Sequence, residues 1–337
     1  MFSVKISAVN KGFWKKLSFP IVGMSPMDGV TDAACRFIAK KYGMADVTYT
    51  EFVSAEGLWR IKQRGEMTHK IWNDLKYSES ERPVVAQLFG SDPDSFYKAA
   101  KIIVEMGFDG IDINMGCPSP GLEKREGGAG LMRNKDRARA VIEATRKGIM
   151  DSGSEIPVSV KTRVGSSEPD PDWWNFLSSM KLPAVAMHGR TFKQLYSGEA
   201  DWESLSEAAK VIRKSGALFL ANGDVKKLYK KEDAVWVELA GGKTRKLDEF
   251  DGALIGRQSL GNPWVLKKEI YEPTREEKFK VAIEHAKKHE ELFPNNFLSV
   301  RKHLASYVKG LPDATELRKK VVMAENSMDV EESFSDG

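Results

Sequence analysis

Short runs of apolar and β-branched residues recur eight times along the chain, and most are followed by an amphipathic stretch. Such runs are typical of strands buried on both faces, and their alternation with amphipathic stretches predicts a parallel sheet covered by helices. The predicted strands are Ile21–Met24, Val47–Phe52, Val84–Phe89, Gly110–Asn114, Val158–Thr162, Ala184–Met187, Leu218–Ala221 and Ala253–Ile255.

Helix-start signals stand between these strands. Ser91-Asp92-Pro93 precedes an amphipathic stretch over Asp94–Met106, and Asn134 precedes another over Lys135–Met150. Asp and Asn side chains cap helix amino termini, and proline is favoured in the first turn. Eight such units without a longer interruption favour a closed (β/α)8 barrel, the TIM barrel, over an open doubly wound sheet.

The crossover after the seventh strand departs from this pattern. Val235, Val237 and Leu239 alternate with less apolar residues, and Gly241-Gly242 follows. Alternation next to two glycines predicts a β-hairpin at about Val235–Leu247, which replaces or shortens the seventh helix.

After Pro263 the pattern becomes purely helical. The predicted helices are Thr274–Glu291, Asn296–Lys309 and Asp313–Met323. We expect a barrel domain over residues 1–265 and a small all-helical domain over residues 266–337. The helical segment is basic up to Lys319-Lys320 and then turns acidic, which predicts a frayed C-terminal end.

Composition narrows the class of protein. Apolar residues make up 41% and charged residues 30% of the chain, as in globular domains with a large core. No run reaches the ~18 apolar residues of a membrane span, and no signal-peptide core is visible, so we expect a cytoplasmic protein without a membrane partner. Cys35 and Cys117 are too few for a disulfide framework or a structural zinc site. A net charge of +4 does not by itself indicate a nucleic-acid partner.

Polar residues follow the predicted strands at their carboxyl ends, where TIM barrels carry their active sites. An unpartnered buried polar group costs about 1–3 kcal/mol, so a bound ligand is expected to supply partners. The residues concerned are Ser25, Asp28, Glu51, Gln87, Asn114, Cys117, Lys161, Arg163, His188, Arg190, Asn222, Asp224 and Arg257.

The last two strand ends form a candidate phosphate site. Asn222-Gly223-Asp224 and Gly256-Arg257 follow strands seven and eight, where barrels often bind phosphate through backbone N–H groups. Asn222-Gly223 taken singly is more often only a turn. Its pairing with Gly256-Arg257 favours a flavin or nucleotide phosphate.

Six sequence motifs occur in a fixed order. They are Pro26-Met27-Asp28-Gly29-Val30-Thr31-Asp32, Asp112-Ile113-Asn114-Met115-Gly116-Cys117-Pro118, Val160-Lys161-Thr162-Arg163, His188-Gly189-Arg190-Thr191, Asn222-Gly223-Asp224 and Ile255-Gly256-Arg257. Together they resemble the tRNA-dihydrouridine synthases, most nearly the bacterial B-type branch, over the whole barrel. The helical segment, with Arg301-Lys302-His303, is similar to the RNA-binding domain of that family.

The resemblance implies FMN at the barrel mouth and NADPH, or NADH, as the hydride donor. The implied cofactor-binding residues are Pro26, Met27, Asp28, Gln87, Lys161, His188, Asn222, Gly223, Asp224, Gly256 and Arg257. Pro26, Met27 and Asp28 would line the isoalloxazine ring. A cation near its pyrimidine edge, here Lys161, would stabilise the negative charge that a hydride brings.

The implied reaction is reduction of the C5–C6 double bond of specific uridines in tRNA to 5,6-dihydrouridine. Cys117 would be the catalytic acid that protonates one carbon, because a general acid must lie within reach of the atom it protonates. Mere packing is the alternative for Cys117, and we expect it for Cys35. Asn114, Arg163 and Tyr196 match uracil-contacting positions of the family.

Binding of tRNA requires the base to be flipped into the site at a cost of a few kcal/mol. The candidate contacts to the RNA backbone are Lys124, Arg125, Arg133, Lys193, Arg301, Lys302, Lys309, Arg318, Lys319 and Lys320, and a solvated charged face is the alternative. Trp173, Trp174 and Trp202 would either stack on RNA or, more often, belong to the core. The predicted hairpin could be a further contact surface for RNA.

Two other functions compete with this interpretation. The main alternative is an FMN-dependent barrel that reduces a small molecule, of the dihydroorotate dehydrogenase or ene-reductase type, which needs no basic helical tail. The second is an RNA-binding protein without catalysis, which the presence of Cys117 and Lys161 disfavours. No metal partner is expected, and a monomer is the default expectation because the sequence indicates no oligomeric state.

Overall fold

The structure is a computed structural model that describes residues 10–117 and 127–335. Its strands, in chain order, are β1 Ile21–Met24, β2 Thr48–Tyr49, β3 Val53–Ser54, β4 Val84–Phe89, β5 Gly110–Met115, β6 Val158–Arg163, β7 Ala184–His188, β8 Leu218–Asn222, β9 Val225–Lys231, β10 Ala234–Leu239, β11 Thr244–Lys246 and β12 Gly252–Ile255. All eight predicted barrel strands are confirmed.

The barrel strands are parallel to their neighbours, in the order β1-β12-β8-β7-β6-β5-β4-β2. The short strand β3 follows β2 in the chain and also pairs with β4, nearer its carboxyl end. A bridge between Gly23 and Val47 brings the two ends of the sheet together, and Met24 N donates to Val47 O at 3.2 Å. The chain therefore folds into the predicted TIM barrel.

Apolar side chains fill the amino-terminal end of the barrel. Trp14, from a 3-10 turn over Gly12–Lys16, packs there with Tyr49, Leu220 and Leu254. Side chains thus plug this end, and the cavity lies at the carboxyl ends of the strands.

Helices cover the outside of the barrel. They are α1 Ala33–Gly43, α2 Ala55–Arg64, α3 Ile71–Asp74, α4 Pro93–Glu105, α5 Lys135–Asp151, α6 Pro171–Ser179 and α7 Trp202–Arg213. The caps follow the sequence signals: the Asp92 side chain accepts from Ser95 N before α4, and the Asn134 side chain accepts from Arg137 N before α5.

A small antiparallel sheet takes the place of the helix after β8. Strand β10 pairs with β11 as predicted, and β9 adds a third strand on its other side. Leu228, Val237 and Leu239 are buried against the barrel core. The hairpin is confirmed, but β9 was not predicted.

The C-terminal segment forms four helices, α8 Arg275–Leu292, α9 Arg301–Tyr307, α10 Ala314–Met323 and α11 Ser327–Ser335. The expected frayed end is wrong over α11, because Val330 and Phe334 are buried and the Phe334 ring stacks on Phe279 with centroids 4.2 Å apart. The apolar core of these helices also includes Ile38 and Trp264, so they pack directly on the barrel. The domain boundary after residue 265 stays a prediction.

A buried ion pair joins α1 to the segment before β4 and should contribute strongly to the stability of the fold. Arg36 Nε lies 2.8 Å from Glu81 Oε2, with both side chains at most 1% exposed. Removing one partner of a buried pair leaves an uncompensated charge, so Arg36→Ala should lower the free energy of unfolding by about 3–5 kcal/mol. Urea denaturation would measure this change in the free energy of unfolding.

The matched control is Arg64→Ala, because the Arg64–Glu66 pair is exposed, with an N–O distance of 3.5 Å. Such surface pairs contribute about 0–1 kcal/mol. If both variants lost the same free energy of unfolding, burial would not be the reason for the stabilising effect of the Arg36–Glu81 pair.

None of the described helices is long and apolar enough to cross a lipid bilayer.

Candidate active site

The carboxyl ends of the barrel strands enclose a cavity of about 480 Å³, within the roughly 300–1,000 Å³ typical of ligand sites. Every residue predicted to be catalytic, cofactor-binding or substrate-binding lines it. These are Pro26, Met27, Asp28, Gln87, Asn114, Cys117, Lys161, Arg163, His188, Tyr196, Asn222, Gly223, Asp224, Gly256 and Arg257. The structure thus brings them together, whereas their individual roles stay predictions.

Two polar strand-end residues do not line this cavity. Glu51 is buried behind it, where burial, followed by the nearby carboxylates Asp32 and Asp74, raises its pKa to about 7. Arg190 lies behind the rim, and its Nη2 donates to Asp224 Oδ2 at 2.8 Å. Arg190 can therefore act on the cavity through Asp224.

A chain of hydrogen bonds runs from the barrel interior to the loop that carries Cys117. Gln87 Nε2 donates to Asp112 Oδ2 at 2.7 Å, and Asn114 Nδ2 donates to Gln87 Oε1 at 3.1 Å. Asn114 Oδ1 in turn accepts from the backbone N of Cys117 at 2.9 Å. Because each amide is bonded at both its nitrogen and its oxygen, the orientation of both side chains is fixed.

Asp112 anchors this chain and was not among the predicted site residues. Ser159 Oγ donates to its Oδ1 at 2.6 Å. Burial raises the pKa of Asp112 to about 6, although the hydrogen bonds from Ser159 and Gln87 favour the charged form. Asp112 stands two residues before Asn114 on β5, so alternation along the strand places both on the inner face. That period-two pattern could have identified it from sequence.

Lys161 is a cation of the cavity wall. Burial, followed by the charge of Arg163, lowers its pKa to about 8, and the carboxylate of Asp112 opposes the shift. Lys161 is therefore mainly protonated at pH 7. A partly desolvated ammonium in this position can stabilise negative charge that develops on a bound molecule.

Arg163 joins two loops beside the cavity. Its Nε donates to Gly116 O at 2.9 Å, and its Nη1 donates to Thr191 O at 2.9 Å and Leu195 O at 3.1 Å. Only 5% of the residue is exposed, and burial lowers its pKa. Besides its predicted contact with the uracil ring, Arg163 thus holds the Cys117 loop against the loop that carries Tyr196.

The opposite end of the cavity has the character of an anion site. His188 Nδ1 accepts from Arg190 N at 3.1 Å, and burial, followed by the charge of Lys161, lowers the pKa of His188 well below its usual value. The ring is therefore neutral and carries its proton on Nε2 as a donor. Arg257 adds a positive charge, with its Nη2 3.5 Å from Asp224 Oδ1.

Gly223 is required at this end for steric reasons. Its φ is +118°, and a Cβ there would lie 2.8 Å from the Cβ of Ala200. Backbone in this region can approach a ligand closely. Nearby, Arg190 Nη1 is buried without a hydrogen-bond partner among the described residues.

Two residues at the rim are open to solvent. Tyr196 is 62% exposed, and the guanidinium carbon of Arg257 lies 5.1 Å from its ring centroid. A ligand that enters the cavity would pass this pair.

The structure shows the surroundings of some of the residues that were predicted to contact RNA. Trp173, Trp174 and Trp202 are buried, so their interpretation as core residues is confirmed. Arg301 Nε donates to Ala324 O, and Lys302 Nζ donates to Gly29 O. Lys124 and Arg125 lie outside the described residues. The remaining candidates stay predictions.

Residues 23–335 of the chain match the dihydrouridine synthase family. A relative named "Probable tRNA-dihydrouridine synthase" in Staphylococcus aureus (strain COL) is 33% identical over 322 residues, which is 93% of this chain and 92% of the relative. "Probable tRNA-dihydrouridine synthase 2" of Bacillus subtilis (strain 168) is 28% identical over 335 residues, 97% of each chain.

Among solved structures, an old yellow enzyme homologue from Zymomonas mobilis is similar with a TM-score of 0.41 and 16% identity, covering 72% of this chain and 86% of that one. The family match extends over nearly the whole chain, from the first barrel strand to the last helix. The chain belongs to the dihydrouridine synthase family.

Proposed function

We propose that this protein is a tRNA-dihydrouridine synthase, an oxidoreductase that uses FMN and NADPH to reduce specific uridines in tRNA. One observation carries the proposal: Cys117, Lys161 and the candidate anion site with Gly223 and Arg257 line the same cavity. The names of the Staphylococcus aureus and Bacillus subtilis relatives support the same substrate.

The cavity has the features that a flavin mononucleotide requires. Its glycine-lined end offers the neutral His188 donor and the Arg257 cation, which suit a phosphate. Pro26 and Met27 supply an apolar wall near the Lys161 ammonium. FMN, when bound, would supply the hydride chemistry.

Lys161 would stabilise the negative charge that develops on the acceptor during hydride transfer. Burial desolvates the ammonium and lowers its pKa, and a charge in a water-poor site acts more strongly than in bulk water. Gln87 would present its amide at the same edge, in the orientation set by Asp112.

Cys117 would donate a proton to one carbon of the uracil C5–C6 bond while the other carbon receives a hydride. The thiol lines the cavity, and its loop is fixed by Asn114 and Arg163. An acid held at the cavity wall by these backbone contacts meets the geometric requirement of general acid catalysis.

The proposal predicts NADPH oxidation that depends on tRNA. Purified protein should show flavin absorbance and should oxidise NADPH faster with tRNA that lacks dihydrouridine than with the same tRNA after complete modification. Stimulation by a small pyrimidine or an activated alkene, but not by unmodified tRNA, would favour the small-molecule reductase instead.

A further inference from the structure

The loop that follows β7 carries two adjacent exposed hydrophobic side chains at the mouth of the cavity. Leu195 is 47% exposed, and its neighbour Tyr196 is still more exposed. Both belong to residues 191–198, which we call the rim loop. Tyr196 lines the cavity, whereas Leu195 is not part of its lining. Leu195 therefore stands just outside the cavity, next to its entrance.

Leu195 adopts a backbone conformation that leucine rarely takes. Its φ is +51°, in the left-handed region that a Cβ disfavours. A residue other than glycine keeps this conformation only where the surrounding structure imposes it, and such residues cluster at ligand-binding sites. Glycine or asparagine would fit this position with less strain. The stability of the fold thus does not account for an exposed leucine here.

Two buried arginines hold the rim loop in place. Arg163 Nη1 donates to Thr191 O at 2.9 Å and to Leu195 O at 3.1 Å. Arg190 Nη2 donates to Gly198 O at 2.5 Å. Because these bonds go to backbone oxygens, they fix the course of the loop whichever side chain stands at position 195. Arg163 itself lines the cavity, so its bond to Leu195 O also places this residue at the cavity mouth.

Positive charges flank the exposed pair. The guanidinium carbon of Arg257 lies 5.1 Å from the centroid of the Tyr196 ring, and that of Arg133 lies 5.9 Å from the centroid of the Phe192 ring. Lys193 is exposed on the same loop. Apolar side chains between cations suit a nucleic acid, because its bases offer apolar faces and its phosphates carry negative charge. A small uncharged substrate would need neither feature outside the cavity.

We propose that Leu195 acts as a wedge in the substrate tRNA: its side chain packs against the base next to the target uridine and fills the space that this uridine leaves when it is flipped into the cavity. The inference rests on the proposed function. Removing a base from its stack costs free energy, and apolar side chains such as leucine can insert between bases. The nucleotides on either side of a uridine held in the cavity must lie at the cavity mouth, beside the rim loop.

Leu195→Asn tests the wedge without opposing the fold. Asparagine accepts a positive φ more readily than leucine, so the midpoint of urea unfolding should stay the same or rise. The kcat/KM for tRNA should nevertheless fall about 5–20-fold, the loss expected when a half-exposed leucine is no longer buried against a base. The salt dependence of tRNA binding should not change, because no charge is removed. Flavin reduction by NADPH should also keep its rate.

Leu195→Met tests whether the apolar character of the side chain is what matters. Methionine is similar in size to leucine and is also apolar, so this variant should keep most of the kcat/KM for tRNA.

The matched control is Met44→Asn. Met44 has a φ of +54° and is 68% exposed, so the same substitution relieves the same backbone strain and removes a comparable exposed side chain. It lies between the end of α1 and the start of β2, at the amino-terminal end of the barrel and opposite the cavity. This control should keep the kcat/KM for tRNA of the unaltered protein.

The outcomes separate the wedge from the proposed function. An unchanged kcat/KM for tRNA in the Leu195→Asn variant, or an equal loss in the Met44→Asn control, would overturn the wedge and leave the proposed function intact. A lower midpoint of urea unfolding in the Leu195→Asn variant would likewise overturn it, because leucine would then serve the fold. An unaltered, flavin-loaded protein that neither binds nor reduces tRNA would overturn both.

Discussion

Alanine in place of Cys117 is expected to lower dihydrouridine formation by about 10²–10⁴-fold, the usual contribution of a positioned general acid. The substitution removes the thiol that lines the cavity and keeps the backbone N–H that donates to Asn114 Oδ1. Flavin content and single-turnover flavin reduction by NADPH should therefore be unchanged. Stopped-flow absorbance and nucleoside mass spectrometry would measure the two half-reactions separately.

The control for this variant is Cys35→Ala. Cys35 lies on α1 and is buried against the barrel with its Sγ 3.9 Å from Met24 Sδ, and burial raises its pKa well above the usual value. Its loss should cost stability but not base reduction. Full base reduction by the Cys117 variant would remove this thiol from its proposed role.

Replacing Lys161 with methionine is expected to slow flavin reduction by about 10²–10³-fold, as the loss of one preorganised electrostatic contact does in other enzymes. In the unaltered protein the rate should fall as pH rises through about 8, because Lys161 loses its proton there. The charged form exists below the pKa, so the stabilisation is present at low pH and lost at high pH. The fall near pH 8 should be absent from the methionine variant.

Asp112→Asn tests the origin of that pH dependence. The Asp112 carboxylate opposes the lowering of the Lys161 pKa. An isosteric amide can keep the bonds to Gln87 and Ser159 but removes the negative charge, so the fall in rate should move to lower pH. An alkaline limb at the same pH in both proteins would show that another group titrates.

The barrel was predictable because its strands are buried on both faces. Runs such as Ala184–Met187 and Leu218–Ala221 are continuously apolar, and that pattern depends little on distant contacts. Strand β9 was missed because four of its seven residues are lysines, and its apolar residues Val225, Leu228 and Tyr229 follow no period-two pattern. Its pairing with β10 depends on tertiary contacts that local sequence does not encode.

Helix α11 is a second element that the sequence alone did not predict. The acidic residues around Val330 and Phe334 read as a solvated tail, yet these two side chains complete an apolar surface on α8. Two apolar residues in an acidic stretch do not define a periodicity. The segment is held as a helix by the packing of these two side chains against α8, which is a tertiary contact.

The cavity lining was predictable because carboxyl ends of parallel strands meet at one rim, so one motif at each strand end is enough. The supporting residues were less visible. Arg190 and Asp112 act through Asp224 and Gln87, and their hydrogen bonds depend on the register between neighbouring strands.

Nucleoside mass spectrometry on tRNA from cells that lack the gene, after incubation with purified protein and NADPH, tests the central proposal most directly. We expect defined uridines to gain two hydrogen atoms and become dihydrouridine. Unchanged uridines in the presence of a flavin-loaded protein that oxidises NADPH would contradict it.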